Sequence, residues 1–207
     1  MEQKTSGVLK DFFISLLSVL AIVYILFNIY TFYSVWRCST NLVQPPQQEY
    51  IRLIIYGTSS TRDGNTISAA FSIVDTNGNE IARIERSWTG NYLAVEFAQS
   101  DFDGKSFLFP TNIYGKDRIM QSKPNGKKKT SLEKFYDDNK QCLLLGFGSS
   151  YEERNDLYKI ARFTTRKVPV LSFGHISNYS IDLSECKINR YYSIQRTSDG
   201  RLIVVEL

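Results

Sequence analysis

His175 is the only histidine in the chain, so any imidazole-based catalysis would depend on it. It lies in the stretch SFGHIS, residues 172–177, where serines stand three residues before it and two residues after it. A serine hydrolase also needs an acid that orients the histidine, and the sequence has no Gly-x-Ser-x-Gly motif to present a nucleophile. The sequence therefore assigns no catalytic residue, and a hydrolase that uses carboxylates or His175 stays an alternative.

Metal and cofactor chemistry finds little support in the residue spacing. The three cysteines, Cys38, Cys142 and Cys186, are far apart, which argues against a zinc site. The segment DTNGNE, residues 75–80, has glycine fourth rather than sixth, so it predicts a turn and not an EF-hand. The GFGSS stretch at 146–150 could hold an anion before a helix, but it lacks the third glycine of a dinucleotide site and the lysine of a P-loop. We therefore predict no metal and no cofactor.

One cluster of positive charge surrounds the turn at 124–126 and forms a candidate basic surface patch. Its members are Lys123, Lys127, Lys128, Lys129 and Lys134. Near a bilayer, each lysine could gain about 1 kcal/mol from anionic headgroups; the other interpretation is a solvated loop. The net charge of +4 and the lack of aromatic residues between the lysines argue against nucleic acid as a partner.

The run from residue 12 to residue 36 contains no charged side chain. About 20 apolar residues span a bilayer as a helix, whereas a cleaved signal peptide has only about 7–15 followed by small residues. The sequence therefore predicts a retained, single-pass transmembrane helix over 12–36. A short tail over 1–11 precedes it, and a polar, proline-containing linker over 37–48 follows it. Four aromatic residues mark one membrane interface: Tyr30, Phe32, Tyr33 and Trp36.

Two side chains in this region have several open interpretations. Asn28 lies near the middle of the predicted span, where its amide could bond a neighbouring helix, and so support a membrane partner or a homo-oligomer, or could bond its own backbone. Cys38 could be lipidated in the cytoplasm, cross-link a dimer in an oxidising compartment, or stay a free thiol.

The orientation of the helix rests on weak signals. Lys4 and Lys10 flank one end and Arg37 flanks the other, so the positive-inside rule barely discriminates. A short N-terminal tail and a large C-terminal domain are typical of a signal anchor. We therefore expect a cell-membrane protein with a cytoplasmic N-terminus and a periplasmic or extracellular domain.

Residues 49–207 read as a β-rich domain built from hairpins. Asn77-Gly78 predicts a two-residue type I′ turn. That turn pairs Ile73 with Ala82, Phe71 with Ile84 and Ile67 with Trp88, and it places all six on one apolar face. A second turn at Thr89-Gly90 would extend the hairpin into a three-strand meander.

The same register locates two arginines. In the meander, Arg83 lies on the polar face between Ser72 and Glu96, which predicts a cross-strand ion pair. Arg86 falls on the apolar face, so its guanidinium must reach the rim of the sheet or contact a ligand or partner.

The rest of the domain is predicted from shorter signals. Asp199-Gly200 predicts a second type I′ hairpin, which would place Tyr192 and Ile194 on one face with Val205 and Leu207. Further strands are expected at 105–110, 141–147, 168–173 and 178–183. Capping-box patterns predict a short helix at 131–138 and a longer one from Tyr151. The predicted fold class is mainly β, sandwich-like, with antiparallel hairpins, a meander and one or two short helices after the transmembrane helix.

The sequence therefore predicts the membrane anchoring and the fold of the protein better than its biochemical activity. The sequence favours a membrane-anchored, β-rich binding or structural module that works with a protein partner or a second copy. Two alternatives stay open: an anchored hydrolase, and a module that binds the lipid surface through the lysines of residues 123–134.

Overall fold

The computed structural model describes residues 2–62, 64–119, 129–171 and 174–207 of the 207-residue chain. Its α-helices are α1 (Glu2–Asn41) and α2 (Tyr151–Thr164), and two 3-10 turns cover Glu133–Phe135 and Leu143–Leu145. The strands are β1 (Gln48–Thr61), β2 (Gly64–Val74), β3 (Glu80–Thr89), β4 (Tyr92–Phe102), β5 (Lys105–Lys116), β6 (Thr130–Ser131), β7 (Asp137–Asp138), β8 (Gln141–Cys142), β9 (Ile176–Asp182), β10 (Tyr191–Arg196) and β11 (Leu202–Glu206).

Two antiparallel sheets form the domain. The first has the order β11-β10-β1-β2-β3, the second has the order β6-β5-β4-β9, and β7 and β8 form a separate short ladder. Alternate side chains of both sheets point into one shared core, whose largest fully buried members include Phe71, Phe97, Phe107 and Phe109. The predicted mainly β, sandwich-like fold after an N-terminal apolar helix is confirmed.

The β2–β3 hairpin has the predicted register. Ile73 faces Ala82, Phe71 faces Ile84 and Ile67 faces Trp88. The turn itself differs from the prediction, because only Gly78 of the Asn-Gly pair has a positive φ, at 79°. The Gly78 amide donates to the Asp75 carbonyl, and the buried Asp75 carboxylate accepts from the amides of Asn77 and Asn79. The loop is therefore a four-residue turn held by an aspartate, rather than a type I′ turn.

The predicted pairing of β3 with β4 is wrong. The chain changes sheets at Gly90, so that β3 is the edge of the first sheet while β4 pairs with β5 and β9 of the second. The Gly90 amide donates to Asn65 in the first sheet, and the next amide, that of Asn91, donates to Lys116 in the second. A Cβ on Gly90 would lie 2.6 Å from the Lys116 amide nitrogen, so glycine permits the crossing. The three-strand meander is β1-β2-β3 instead.

This topology determines the surroundings of the two arginines. Arg83 lies opposite Ser72 as predicted, but it donates to the Tyr56 hydroxyl at 3.1 Å, and Glu96 belongs to the other sheet. Arg86 lies opposite Ala69 and is exposed, with its guanidinium donating to Thr130 and lying over the Trp88 ring. The rim interpretation of Arg86 is therefore confirmed.

The C-terminal hairpin forms with a register one residue away from the prediction. Tyr192 faces Glu206 and Ile194 faces Val204, because the loop has three residues and ends at Gly200, whose φ is 83°. A type I turn followed by a left-handed glycine accounts for this loop. The two-residue type I′ turn occurs instead at Asp103-Gly104, where both φ angles are positive.

The weaker predictions had mixed outcomes. Strands at 105–110 and 178–183 are confirmed as parts of β5 and β9, whereas 141–147 forms only β8 and a 3-10 turn. No strand covers 168–171, and residues 172–173 lie outside the described part of the chain. The helix expected at 131–138 shortens to the 3-10 turn Glu133–Phe135, which has no side-chain cap.

Helix α2 begins with the predicted capping box. The Ser150 hydroxyl accepts from the Glu153 amide, and the Glu153 carboxylate accepts from the Ser150 amide at 2.8 Å. Its buried face is formed by Leu157, Ile160, Ala161 and Phe163. Asp156 in the middle of α2 contacts Asn41 at the end of α1, and Phe163 near the end of α2 contacts Phe32, which lies earlier in α1. The two helices are therefore antiparallel. They form a layer beside the sandwich that holds α1 in place.

Candidate functional site

Helix α1 has two parts with different surroundings. Every side chain from Phe12 to Phe27 is exposed, although almost all of them are apolar. From Asn28 onward, one stripe is buried or half-buried against the domain: Asn28, Phe32, Val35, Cys38 and Leu42. Their spacing of three or four residues is that of one helix face. The helix also continues past residue 36 to Asn41, so the segment predicted as a linker begins inside the helix.

Asn28 is the first docked residue of this stripe. Its Nδ2 donates to the Tyr24 carbonyl at 2.7 Å, and its Oδ1 accepts from the Leu171 amide at 2.7 Å. The amide therefore bonds its own helix backbone, as one of the two interpretations predicts, and it also accepts from a loop of the same chain. Its role in contacting a membrane partner stays a prediction. The side chain is 5% exposed.

An aromatic cluster extends this contact into the domain. The ring of Phe32 lies 5.7 Å from the ring of Phe102 and 6.5 Å from that of Phe163. The other aromatic residues of the predicted interface belt point away, with Tyr30 71% exposed and Trp36 43% exposed. An apolar depression of about 460 Å³ lies along this side of α1 and is lined by Asn28, Ile29, Phe32, Tyr33 and Trp36.

Two cations fix the C-terminal end of α1. The Lys105 ammonium donates to the carbonyls of Ser39, Thr40 and Leu42, which are among the last acceptors of the helix. A cation at this end also compensates the helix dipole. Buried Arg196 donates to the Pro45 carbonyl and to the Gln44 side chain, so the segment after the helix is tied to β10.

Cys38 and Asp156 join α1 to α2. The buried Cys38 thiol lies 3.2 Å from one carboxylate oxygen of Asp156, and Asn41 donates to the other oxygen at 3.2 Å. Burial opposes ionisation of Asp156, but hydrogen bonds from Lys159, Cys38 and Asn41 outweigh it, so its pKa is lowered. The thiol is free, and in this docked arrangement it is inaccessible both to lipidation and to a second chain.

His175 is a packed residue. Its ring stacks on Phe102, with centroids 5.4 Å apart and planes 2° apart, and it also contacts Phe32. Its Nδ1 lies 2.9 Å from the backbone carbonyl oxygen of Asp101. These contacts build the junction with α1, and among the described residues no side-chain hydrogen bond joins His175 to a serine or a carboxylate. Ser172 lies outside the described residues.

A polar groove of about 470 Å³ lies on the outer face of the second sheet. Along β4, Val95 and Phe97 point into the core, so Glu96 and Ala98 point to this outer face. The end of α2 covers part of the same face, where the hydroxyls of Ser100 and Thr164 are hydrogen-bonded at 2.7 Å. The groove lies next to the part of this face that α2 covers. Its lining includes Glu96, Ala98, Asn112, Lys129, Arg166 and Asn178.

Arg166 is the strained member of the groove. Its φ is 57°, a left-handed conformation that favours glycine, at the position that ends α2. The amides of Arg166 and Lys167 donate to Phe163 and Arg162, which closes the helix. Its side chain is exposed and makes no hydrogen bond or ion pair with the residues described. A strained backbone at Arg166, whose guanidinium lines a groove without an ion-pair partner among the described residues, makes this residue a candidate for binding.

The predicted basic patch is only partly described. Lys129 forms an ion pair with Glu96 at 2.6 Å inside the groove, and the Lys134 ammonium lies 4.8 Å from the Phe135 ring centroid. Lys123, Lys127 and Lys128 lie outside the described residues. The two described lysines therefore have partners within the domain.

The glycines of 146–150 serve packing. A Cβ on Gly146 would collide with the Asp75 carboxylate, so the β2–β3 turn lies directly against this loop. The Thr76 amide donates to the Leu144 carbonyl, and the Thr76 hydroxyl to that of Leu145. Across the described residues, no group of three or more His, Cys, Asp or Glu side chains could hold a metal ion.

By length and composition, α1 can cross a membrane: the segment Phe12–Asn41 is long and apolar enough, and its most apolar window is 6% buried. No family model matches the chain, and neither a curated protein nor a solved structure matches it. Function must therefore be argued from the site. Sequence reasoning missed the groove and the Leu171 contact, because their residues come from segments far apart in the chain.

Proposed function

We propose that this chain is a single-pass, membrane-anchored binding module whose α1 spans the bilayer and whose β-sandwich lies at the membrane surface. The observation that carries this proposal is the change in α1 at Asn28. Sixteen residues before it, Phe12 to Phe27, present apolar side chains that the domain leaves uncovered. A soluble protein would bury such a surface, whereas a bilayer covers it on all sides.

The length of the uncovered segment fits a bilayer. From Asp11, the first charged residue before the apolar run, to Asn28 the helix rises about 26 Å, at about 1.5 Å per residue. The hydrocarbon core is about 30 Å thick. A span over 12–36 would instead draw the neighbours of Phe32, including His175 and Phe102, into the hydrocarbon. Because the domain packs against α1 from Asn28 onward, a membrane span that ends near Asn28 is favoured.

Extraction tests the anchor. Alkaline carbonate should leave the full chain in the membrane pellet, and Leu20→Arg should shift it towards the soluble fraction, because an arginine at the bilayer centre costs about 3 kcal/mol on insertion scales. Ser198→Arg, in the exposed β10–β11 loop, is the matched control. A full chain that carbonate releases as readily as the Leu20→Arg chain would sink the proposal.

We place the binding face at the polar groove, because it combines a free guanidinium, the amides of Asn112 and Asn178 and a sheet floor. The chemistry suits a polar partner with hydroxyl, amide or carboxylate groups. A photo-crosslinker at Asn178 should yield a discrete adduct in intact membranes, and Ser180→Trp, a bulky substitution at an exposed residue of the groove lining, should abolish it. A crosslinker at Ser198 serves as the control. An adduct that survives Ser180→Trp, or forms equally at Ser198, contradicts this assignment.

The domain is proposed to face the periplasm or cell exterior, with the N-terminal end of α1 on the cytoplasmic side. The alternative of a lipid-reading lysine loop predicts salt-sensitive binding of the domain to anionic vesicles. The internal partners of Lys129 and Lys134 weaken that alternative, since both cations are already engaged.

A further inference from the structure

The loop that follows α2 carries an apolar surface at the level where α1 leaves the domain. Its residues are Val168, Pro169, Val170 and Leu171, and Leu171 is 54% exposed. The Asn28–Leu171 hydrogen bond fixes this loop beside the last uncovered turn of α1. The exposed apolar surface of the helix is therefore continuous with that of the loop.

The backbone of this loop is adapted to a medium with little water. Pro169 has no amide proton, the Val170 amide donates to the Val168 carbonyl at 2.8 Å, and the Leu171 amide donates to Asn28. All donors of residues 169–171 are thus absent or bonded inside the protein. An unsatisfied amide is costly in a lipid environment, whereas a loop in water has no such requirement.

The charges that precede the loop fit the same placement. Arg166 and Lys167 come directly before Val168, and Lys167 is neutralised by Glu133 at 2.6 Å. Basic residues next to exposed apolar ones are typical of the membrane interface, where long side chains keep their charge in water. The loop itself, residues 168–171, contains no charged residue.

We propose that residues 168–171 form a second membrane contact, in which the exposed side chains of Pro169 and Leu171 insert into the bilayer interface beside α1 and seat the sandwich on the membrane. The occupant of this surface is the lipid bilayer, because the surface continues the exposed face of Phe12 to Phe27. This inference rests on the proposed membrane span. Two attachment points would hold the domain at a fixed tilt relative to the membrane.

Depth-dependent quenching tests this contact on the full chain in liposomes. An environment-sensitive fluorophore is attached at Leu171→Cys, Leu20→Cys or Ser198→Cys, with Cys186→Ser in every chain, and lipids carrying a spin label near the headgroup or deep in the acyl chain act as quenchers. A second loop site, Pro169→Cys, guards against a local effect of the label at Leu171. A parent chain labelled in the same way gives the blank for the buried cysteines.

The three positions separate the possible results. We expect loss of fluorescence at Leu171 and Pro169 with the shallow quencher, loss at Leu20 with the deep quencher, and no loss at Ser198. Loss at Leu20 without loss at the two loop positions overturns the second contact and leaves the span intact. No loss at Leu20 overturns the span and the contact together.

Discussion

The side-chain oxygen of Asn28 on α1 accepts a 2.7 Å hydrogen bond from the backbone amide of Leu171, 143 residues later in the chain. This contact marks the boundary between the uncovered and the docked part of the helix. After it, Val35, Cys38 and Leu42 belong to the core of the domain, and Phe32 packs against that core. The docked part of α1 and the sandwich are therefore one packed unit, rather than two parts joined by a linker.

Removal of the Asn28 side chain should loosen the loop without unfolding the domain. Asn28→Ala leaves the Leu171 amide without its acceptor, so we expect faster hydrogen exchange at that amide and a stability loss of about 1 kcal/mol. Ser18→Ala is the matched control, because Ser18 is exposed and bonds only the carbonyl of Ile14 in its own helix. Equal exchange in the two variants would contradict the role given to Asn28.

The docked part of α1 should be required for stability. A chain that begins at residue 28 keeps the buried stripe, whereas one that begins at residue 49 loses it together with the partners of Lys105. Each large buried apolar side chain contributes about 1.5–3 kcal/mol, so the shorter chain should unfold at a much lower urea concentration. Coincident urea midpoints would show that the helix end is only a linker, as the sequence predicted.

The α1–α2 junction should weaken in acid. The lowered pKa of Asp156 means that its carboxylate stabilises the folded chain; this contribution is complete above the ordinary value of 3.8 and is lost as the pH falls through the lower folded-state pKa. Asp156→Asn should therefore be less stable than the parent by about 1 kcal/mol at pH 6. The difference in thermal midpoint should shrink towards pH 3. A difference that stays constant over this range would rule out the carboxylate as its source.

Replacement of Arg166 by glycine should raise the stability of the chain and weaken its binding to the partner. Arg166→Gly permits the 57° φ without a Cβ and should stabilise the chain by about 0.5–1 kcal/mol. Asn189→Gly, at a φ of 58°, should gain less, because asparagine tolerates this conformation better. If the groove binds through the guanidinium, the more stable Arg166→Gly chain should lose the adduct formed at Asn178. A variant that retains this adduct would remove Arg166 from the site.

Local signals predicted the parts of the fold that they physically determine. The β2–β3 register follows from one turn and two alternating strands, and the capping box of α2 lies within four residues. The β3–β4 pairing failed because the apolar alternation fits two arrangements equally well: a hairpin, or a crossing at Gly90 that places the same residues on facing sheets. Only the close approach of Gly90 to Lys116 distinguishes them, and it depends on a strand formed later in the chain.

The site was less predictable than the fold. Asn28 was identified as a polar residue in an apolar helix, but its partner is a backbone amide, which has no signature in the sequence. The groove combines strands β4, β5 and β9 with the end of α2, so its residues meet only after the second sheet has formed. The apolar run also extends beyond the part of α1 that the domain leaves uncovered, because a docked helix stripe and an exposed apolar one have the same composition.

Two-sided labelling tests the central claim most directly. Ser6→Cys, before the apolar run, and Ser198→Cys, in the exposed β10–β11 loop, are introduced separately with Cys186→Ser, and sealed vesicles of known orientation are treated with a membrane-impermeant thiol reagent. A single span predicts that the two cysteines react from opposite sides, with Ser198→Cys on the extracytoplasmic side. Reaction of both from the same side of an intact vesicle would contradict the membrane span.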